Sequence, residues 1–221
     1  MAPTKAKAGN KPAAKTARVN DPERTRANII LVATHEFSEH GLSGARIDEI
    51  AARTHTSKRM IYYYFGSKEG LYRTVLEECY RRIRAIEHDV DLDAMPPLEA
   101  LAALVRFTFD YQTNNEDFIR LVMVENIHRG ENMAALPNIA AVNSKAIQRL
   151  KTLCARGVKE GVMRKDLEPI DLHMSISALC FFNVSNRHTF STIFKVDMRS
   201  PKALRHRKET VTEMILRYVT P

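Results

Sequence analysis

Apolar residues recur at three- and four-residue intervals along nearly the whole chain, and residues that stop helices fall between these runs. Asp21-Pro22-Glu23 supplies a cap, a first-turn proline and an acid at the positive end of a helix dipole, so a first helix starts there. Ile30, Ala33 and Phe37 share one face of it, and Gly41 ends it. Ile47, Ile50, Ala51 and Thr54 mark a short second helix, and a third begins at Thr56 or Ser57 with Ile61 and Phe65 inward. Gly66-Ser67 breaks the chain, and Ser67 caps a fourth helix from Lys68 to about His88. Five more follow: Pro97 to about Asn114, Asn115 to His128, Asn138 to Glu160, Glu168 to about Asn186, and Ser200 to Tyr218. No alternating strand pattern and no internal repeat interrupts them, so the expected fold class is all-α.

Composition narrows the function classes. The 221 residues suffice for one large or two modest domains, and no apolar run approaches the roughly 20 residues that cross a bilayer. No apolar core follows Met1-Ala2-Pro3-Thr4-Lys5, so no secretory signal is read there. Cys79, Cys154 and Cys180 lie far apart within apolar helical patterns, where a free thiol packs as a small hydrophobe. A cytoplasmic protein associated with the nucleoid, with no disulfide, is therefore expected.

Charge is more telling. Residues 1–75 hold 13 Lys and Arg against 7 Asp and Glu, whereas the remainder holds 21 against 19. Such an excess in the first third is the footprint of a nucleic-acid-binding module, and it reads equally as a solvated basic tail. Residues 1–19 carry Lys5, Lys7, Lys11, Lys15 and Arg18, and are expected to be a disordered basic arm that touches phosphates without reading sequence.

The stretch 41–68, GLSGARIDEIAARTHTSKRMIYYYFGSK, decides between those readings. Two short amphipathic helices joined by a tight turn at Thr54-His55-Thr56 meet the physical requirement for a helix-turn-helix. With Ile61 and Phe65 inward, Arg59 and Tyr63 point outward, flanked by Lys58, Met60 and Tyr62. Arg59 suits guanine O6 and N7, Met60 a thymine methyl, and Lys58 and the tyrosine hydroxyls phosphate oxygens. The competing reading makes the tyrosine run core, with Tyr64 partly buried against the first helix, and leaves Lys58 and Arg59 as ordinary solvated charges.

Ile50-Ala51, Ser57-Lys58, Ile61-Tyr62-Tyr63-Tyr64-Phe65 and Ser67-Lys68-Glu69-Gly70-Leu71 together resemble the DNA-binding signature of the TetR family over about residues 24–72. The resemblance implies backbone contacts from Tyr62, Tyr63 and Lys68, with Ser57 opening the reading helix. Arg59 departs from the small or polar residue common there and is expected to read a base. Ala45 and Arg46 stand where the family often has Thr or Ser, so a cap hydroxyl is missing and Arg46 becomes a phosphate ligand instead. The organisation expected is an arm over 1–19, a helix-turn-helix domain over 20–67, and a helical effector-binding and dimerisation domain over 68–221.

A lone helix-turn-helix gains affinity by binding as a symmetric pair. The segment LHMSISALCFF (172–182) is apolar nearly all round, and Val211, Met214, Ile215 and Tyr218 line one face of the last helix. These read as core or as dimer surface, and the resemblance implies a homodimer built from both helices. It also implies a pocket for a small-molecule effector. Asn126 and His128 after LVMV, and Asn183, Asn186 and His188 after LCFF, are polar residues set in apolar surroundings; Phe107, Tyr111 and Met123 supply walls. The alternative is that these polar groups cap helices, bind backbone carbonyls or touch the second subunit. RLVMVENIHR (120–129) and FFNVSNRHTFSTIF (181–194) resemble a subgroup of the family that includes repressors of nicotinate and pyrimidine catabolism, which implies a small aromatic or heterocyclic acid.

His128, His173 and His188 lack ligand-like spacing, so no metal site is expected, and no cofactor. Phosphate-loop, nucleophile-elbow and zinc-protease patterns are likewise missing, so no enzyme is expected. The leading reading is a repressor that leaves an inverted-repeat, double-stranded operator when its effector binds. Its rival is an architectural or partner-controlled DNA-binding protein without an effector.

Overall fold

The computed structural model describes residues 21–88 and 90–221, so the basic arm expected over 1–19 lies outside the described residues. Among those described there are eleven helices and no strands. They are α1 (Pro22–Gly44), α2 (Ile47–Thr54), α3 (Lys58–Phe65), α4 (Lys68–His88), α5 (Pro97–Asn114), α6 (Glu116–Ile127), α7 (Glu131–Ala134), α8 (Ile139–Lys159), α9 (Pro169–Ser185), α10 (Arg187–Phe194) and α11 (Pro201–Val219). The all-α reading holds. No helix of the described residues is long and apolar enough to cross a membrane.

Side-chain caps open four of these helices, that of α4 among them. Asp21 accepts from the Arg24 N–H at 3.1 Å, Ser57 from Met60 and Ser200 from Ala203. The first helix runs three residues past its expected end, because Gly41 takes φ +65° and kinks the chain without stopping it. Two short helices went unanticipated. Residues 131–134 make only one turn, and the polar run Asn186-Arg187-His188 hides the Phe190–Phe194 spacing that makes α10 amphipathic.

The first four helices enclose one core, in which Ile29, Ala33, Phe37, Ile50, Ile61, Leu71, Tyr72 and Val75 are completely buried. Leu121 of α6 and Leu136 complete it from the other side. A second core fills the space between α5, α8, α9 and α11, around Leu101, Val105, Phe109, Leu150, Ile176 and Val211. The fourth helix serves both regions, since its first half packs on α1 and α3 and Ile83 joins a third cluster with Tyr111, Phe118 and Val184. Arg106 on Glu209 and Lys208 on Asp110 pin α11 to α5 at the surface.

Candidate nucleic-acid interface and sensor cavity

The tight turn between α2 and α3 hangs on His55, whose φ of +52° is left-handed. Its N–H reaches the Ala52 carbonyl at 3.2 Å, and Thr56 N–H reaches Ala51 at 3.0 Å, closing the end of α2. The start of α2 has no side-chain cap of its own. Glu36, buried on α1, fills that role from outside: its Oε1 accepts from Arg46 N–H at 3.0 Å. Ala45 and Arg46 offer no cap hydroxyl to the first turn of α2, and the carboxylate from α1 binds the N-cap N–H instead, the bond a capping-box acid makes. Arg53 lies 4.0 Å from the same carboxylate.

Within α3, Ile61 and Phe65 face the core, and Tyr62 and Tyr63 between them face out. Tyr63 is 78% exposed, Tyr62 and Met60 are exposed, and Arg59 projects into solvent beside them. Tyr64 is half-buried against the core and meets Tyr63 edge-on at 5.5 Å. The tyrosine run is therefore split, one ring inward and two outward. Ser57 spends its oxygen on the Met60 N–H, 3.2 Å away. Lys58 pairs with Asp48 of α2, so a phosphate must compete for its ammonium. Lys68 donates to the Ser43 carbonyl at 3.2 Å, holding the start of α4 to the end of α1. Arg46 carries its side chain exposed on the same side of the turn.

The reading helix is clamped close to α4. A Cβ added to Gly70 would sit 2.1 Å from the Phe65 carbonyl oxygen, so only glycine permits this approach. Ser67 caps α4 through the Gly70 N–H at 3.0 Å, and Glu69 in the first turn has its carboxyl pKa lowered by backbone N–H donation and by Ser67. An N-terminus oriented this way favours anions nearby.

The eight residues expected at the effector pocket are not gathered in one place. Tyr111 is buried and Phe107 half-buried, their rings 6.0 Å apart within the packed interior. Asn183 is buried, whereas Asn126 is exposed and donates to the Val122 carbonyl of its own helix. Asn186 joins α9 to α10 and accepts from the Ser185 hydroxyl. Only Met123, His128 and His188 share a cavity, a cleft of about 420 Å³ between the end of α1, α6 and the α9–α10 corner. Glu125, in the same stretch, is a capping group: its carboxylate receives Asn132 Nδ2 and Met133 N–H, fixing α7.

A second cavity of about 390 Å³ lies in the larger domain between α4, α5, α6, α8 and α9, reaching the surface at Ser144 and Ile170, and none of the eight lines it. Tyr80, Phe118 and Phe181 provide aromatic walls, while Gln112, Asn143 and His173 provide polar groups. Gln112 is 6% exposed, and its side-chain oxygen has no hydrogen-bond partner among the described residues. A buried amide left unpaired in this way costs on the order of 1–3 kcal/mol, which a ligand supplying a donor would recover. Burial, and secondarily the charge of Arg84, lower the His173 pKa, so its imidazole is neutral at pH 7. Arg84 is held by Glu87 and, at 3.1 Å, by Asn143 Oδ1. Sequence reading passed over Gln112 and His173 because nothing in their spacing separates a cavity wall from a packed face.

One flank of this domain is uncovered. Ile170, Met174 and Phe182 of α9 are 56%, 62% and 41% exposed, and on α11, which packs on α9, Met214 and Tyr218 are exposed as well. Val211 and Ile215 are buried in the core while Met214 and Tyr218, at neighbouring positions of the same helical face, stay exposed, so only part of the expected apolar face of the last helix is covered. Cys79, Cys154 and Cys180 are free thiols, the last two buried.

Residues 29–75 match the family description "Bacterial regulatory proteins, tetR family", and residues 97–215 match "Tetracyclin repressor-like, C-terminal domain". The HTH-type transcriptional repressor NicS of Pseudomonas putida is 34% identical over 200 residues, covering 90% of this chain and 94% of the relative. The HTH-type transcriptional repressor SCO4008 of Streptomyces coelicolor is 31% identical over 159 residues, covering 72% of this chain and 78% of its own. A crystal structure of a tetR-family regulatory protein from Rhodococcus RHA1 superposes with a TM-score of 0.70 at 18% identity, covering 89% of this chain and 97% of that one, and shows the shared fold. With a helix-turn-helix head, a larger helical body and relatives matched along nearly its full length, the chain belongs to the TetR family of DNA-binding transcriptional regulators, not to a family of enzymes.

Proposed function

We propose that this protein is a repressor that reads an inverted-repeat operator as a homodimer and leaves it when a small molecule fills the inner cavity. The outward face of α3, with Tyr63 78% exposed beside Arg59, carries the reading. Arg59 reads a guanine and Met60 a thymine methyl, while Arg46, Ser57, Lys58, Tyr62, Tyr63 and Lys68 hold the backbone. The uncovered flank formed by Ile170, Met174, Phe182, Met214 and Tyr218 is where a second copy packs, because an apolar patch of this kind is unstable in water. Two heads then meet successive major grooves about 34 Å apart. Such a regulator works on the nucleoid, in the cytoplasm.

The inner cavity supports an effector in place of the architectural alternative, since a body without a ligand gains nothing from the unpaired Gln112 amide. Its lining holds aromatic rings and no carboxylate, and its one cation, Arg84, is paired with Glu87, so a small aromatic or heterocyclic acid fits if its carboxylate shares that guanidinium. A ~100-fold loss of operator affinity requires the effector to prefer the off-DNA arrangement by roughly 2.7 kcal/mol.

Footprinting on DNA upstream of the gene, at several salt concentrations, tests the first half. A protected inverted repeat, lost with Arg59→Ala and Tyr63→Ala, is expected; uniform weak binding kept by both variants would sink the contact assignment. Titrating a panel of benzene and pyridine carboxylates against the complex tests the second. Release by at least one of them, lost in Gln112→Leu, is expected, and release by none of them removes that effector class.

A further inference from the structure

We infer that a divalent transition-metal ion, with zinc as its probe, binds between α1 and α6 on His35, Glu39 and Asp117, and fastens the DNA-reading head to the sensor body. One ligand atom from each of the three lies within 4.8 Å of the other two. His35 and Glu39 stand four residues apart on α1, the helical spacing that puts two ligands on one face. Asp117 comes from the first turn of α6 opposite them, so the trio spans two elements.

The distances favour a shared ion. His35 Nδ1 and Asp117 Oδ2 are 3.5 Å apart. Two ligands each about 2.0–2.1 Å from a tetrahedral zinc stand roughly 3.3–3.4 Å from one another, so this pair needs only a small adjustment. The supporting contacts are in place as well. Ser38, 2% exposed, holds the other Asp117 oxygen at 2.9 Å, leaving Oδ2 toward the imidazole. Arg120 donates to the Ser38 carbonyl at 2.9 Å and lies 3.4 Å from Glu39, steadying the second carboxylate. Orienting groups of this kind are what a ligand set requires from its surroundings. Two carboxylates face a single guanidinium here, so the corner has an uncompensated negative charge. Glu39 also lines the cleft between α1 and α6, where a water can complete the shell. One imidazole with two carboxylates selects a borderline cation such as zinc over magnesium.

The site lies where α1 of the head packs directly on α6 of the body, and α1 is the helix that orients α2 through Glu36. An ion here therefore stabilises one setting of the reading head, independently of the inner cavity and its effector.

Calorimetric titration of zinc chloride into the chelator-treated full chain tests this, with His35→Ala, Asp117→Asn and, as a distant control on α11, His206→Ala. All three side chains are at least partly exposed and Asn keeps the Ser38 contact, so the variants retain the fold. One micromolar site per chain is expected in the wild type and in His206→Ala, weakened about tenfold or more in the other two, with no heat from magnesium. Zinc at about 100 times its Kd should raise Tm by about 5–10 °C in the wild type and leave His35→Ala unchanged. No zinc site, or a site that either ligand variant keeps at full strength, overturns the inference.

Discussion

The two halves of this molecule use their side chains in opposite ways. The head spends its interior on packing and its surface on recognition: Ile61 and Phe65 seat α3, and every candidate DNA contact is outside. The body keeps an unpaired amide and a neutral imidazole on an inner cavity and leaves an apolar flank bare. A surface that reads DNA must be rigid behind and polar in front, whereas a body that senses must hold unsatisfied groups until something satisfies them. Stability and function are therefore separable in the head and coupled in the body.

The sharpest test of that contrast is Phe37→Ala, which empties a fully buried site where the ring meets Tyr72 edge-on at 5.0 Å. A loss of about 3–5 kcal/mol is expected by denaturant titration. Glu36→Ala should cost about 1–3 kcal/mol, because it strands the Arg46 N–H at the start of α2, and it should also blur the footprint. Arg59→Ala should change stability by less than about 0.5 kcal/mol while weakening the operator complex roughly 10–100-fold in a gel-shift titration. A large stability change there would break the separation claimed for the head.

In the body the signs reverse. Gln112→Leu removes an unpaired buried oxygen and should leave the apo protein as stable or up to about 1 kcal/mol more stable, while abolishing effector response. Destabilisation instead would mean that the amide is structural. The smallest effect concerns pH. His173 has a folded pKa below its unfolded value of about 6.5, so its contribution is complete above that pH and is lost as pH falls through the folded value. His173→Gln should flatten the acid side of the stability–pH curve without altering its plateau, as read by thermal melts between about pH 7 and 5.

How much was legible follows the same division. In the head, a period of 3.6 residues, a capping serine and a glycine break place Arg59, Tyr62 and Tyr63 outward, since one short helix resting on one core has only one outside. In the body, each helix touches several neighbours. Asn126 and Asn183, alike in sequence as polar residues after an apolar run, end up exposed and buried respectively. Val211 and Met214, three residues apart on one apolar face of α11, end up fully buried and exposed respectively.

By itself, then, the sequence determined nine of the eleven helices, the side-chain caps at Asp21, Ser57, Ser67 and Ser200, and the outward face of the reading helix, because these depend on contacts within a few residues. Only the tertiary structure decided that Glu36 caps α2, that Gly70 lets α3 close on α4, and that Gln112 and His173 meet across an inner cavity. Those depend on groups brought together from distant parts of the chain, and no local pattern encodes which of several buried faces will be left unfilled.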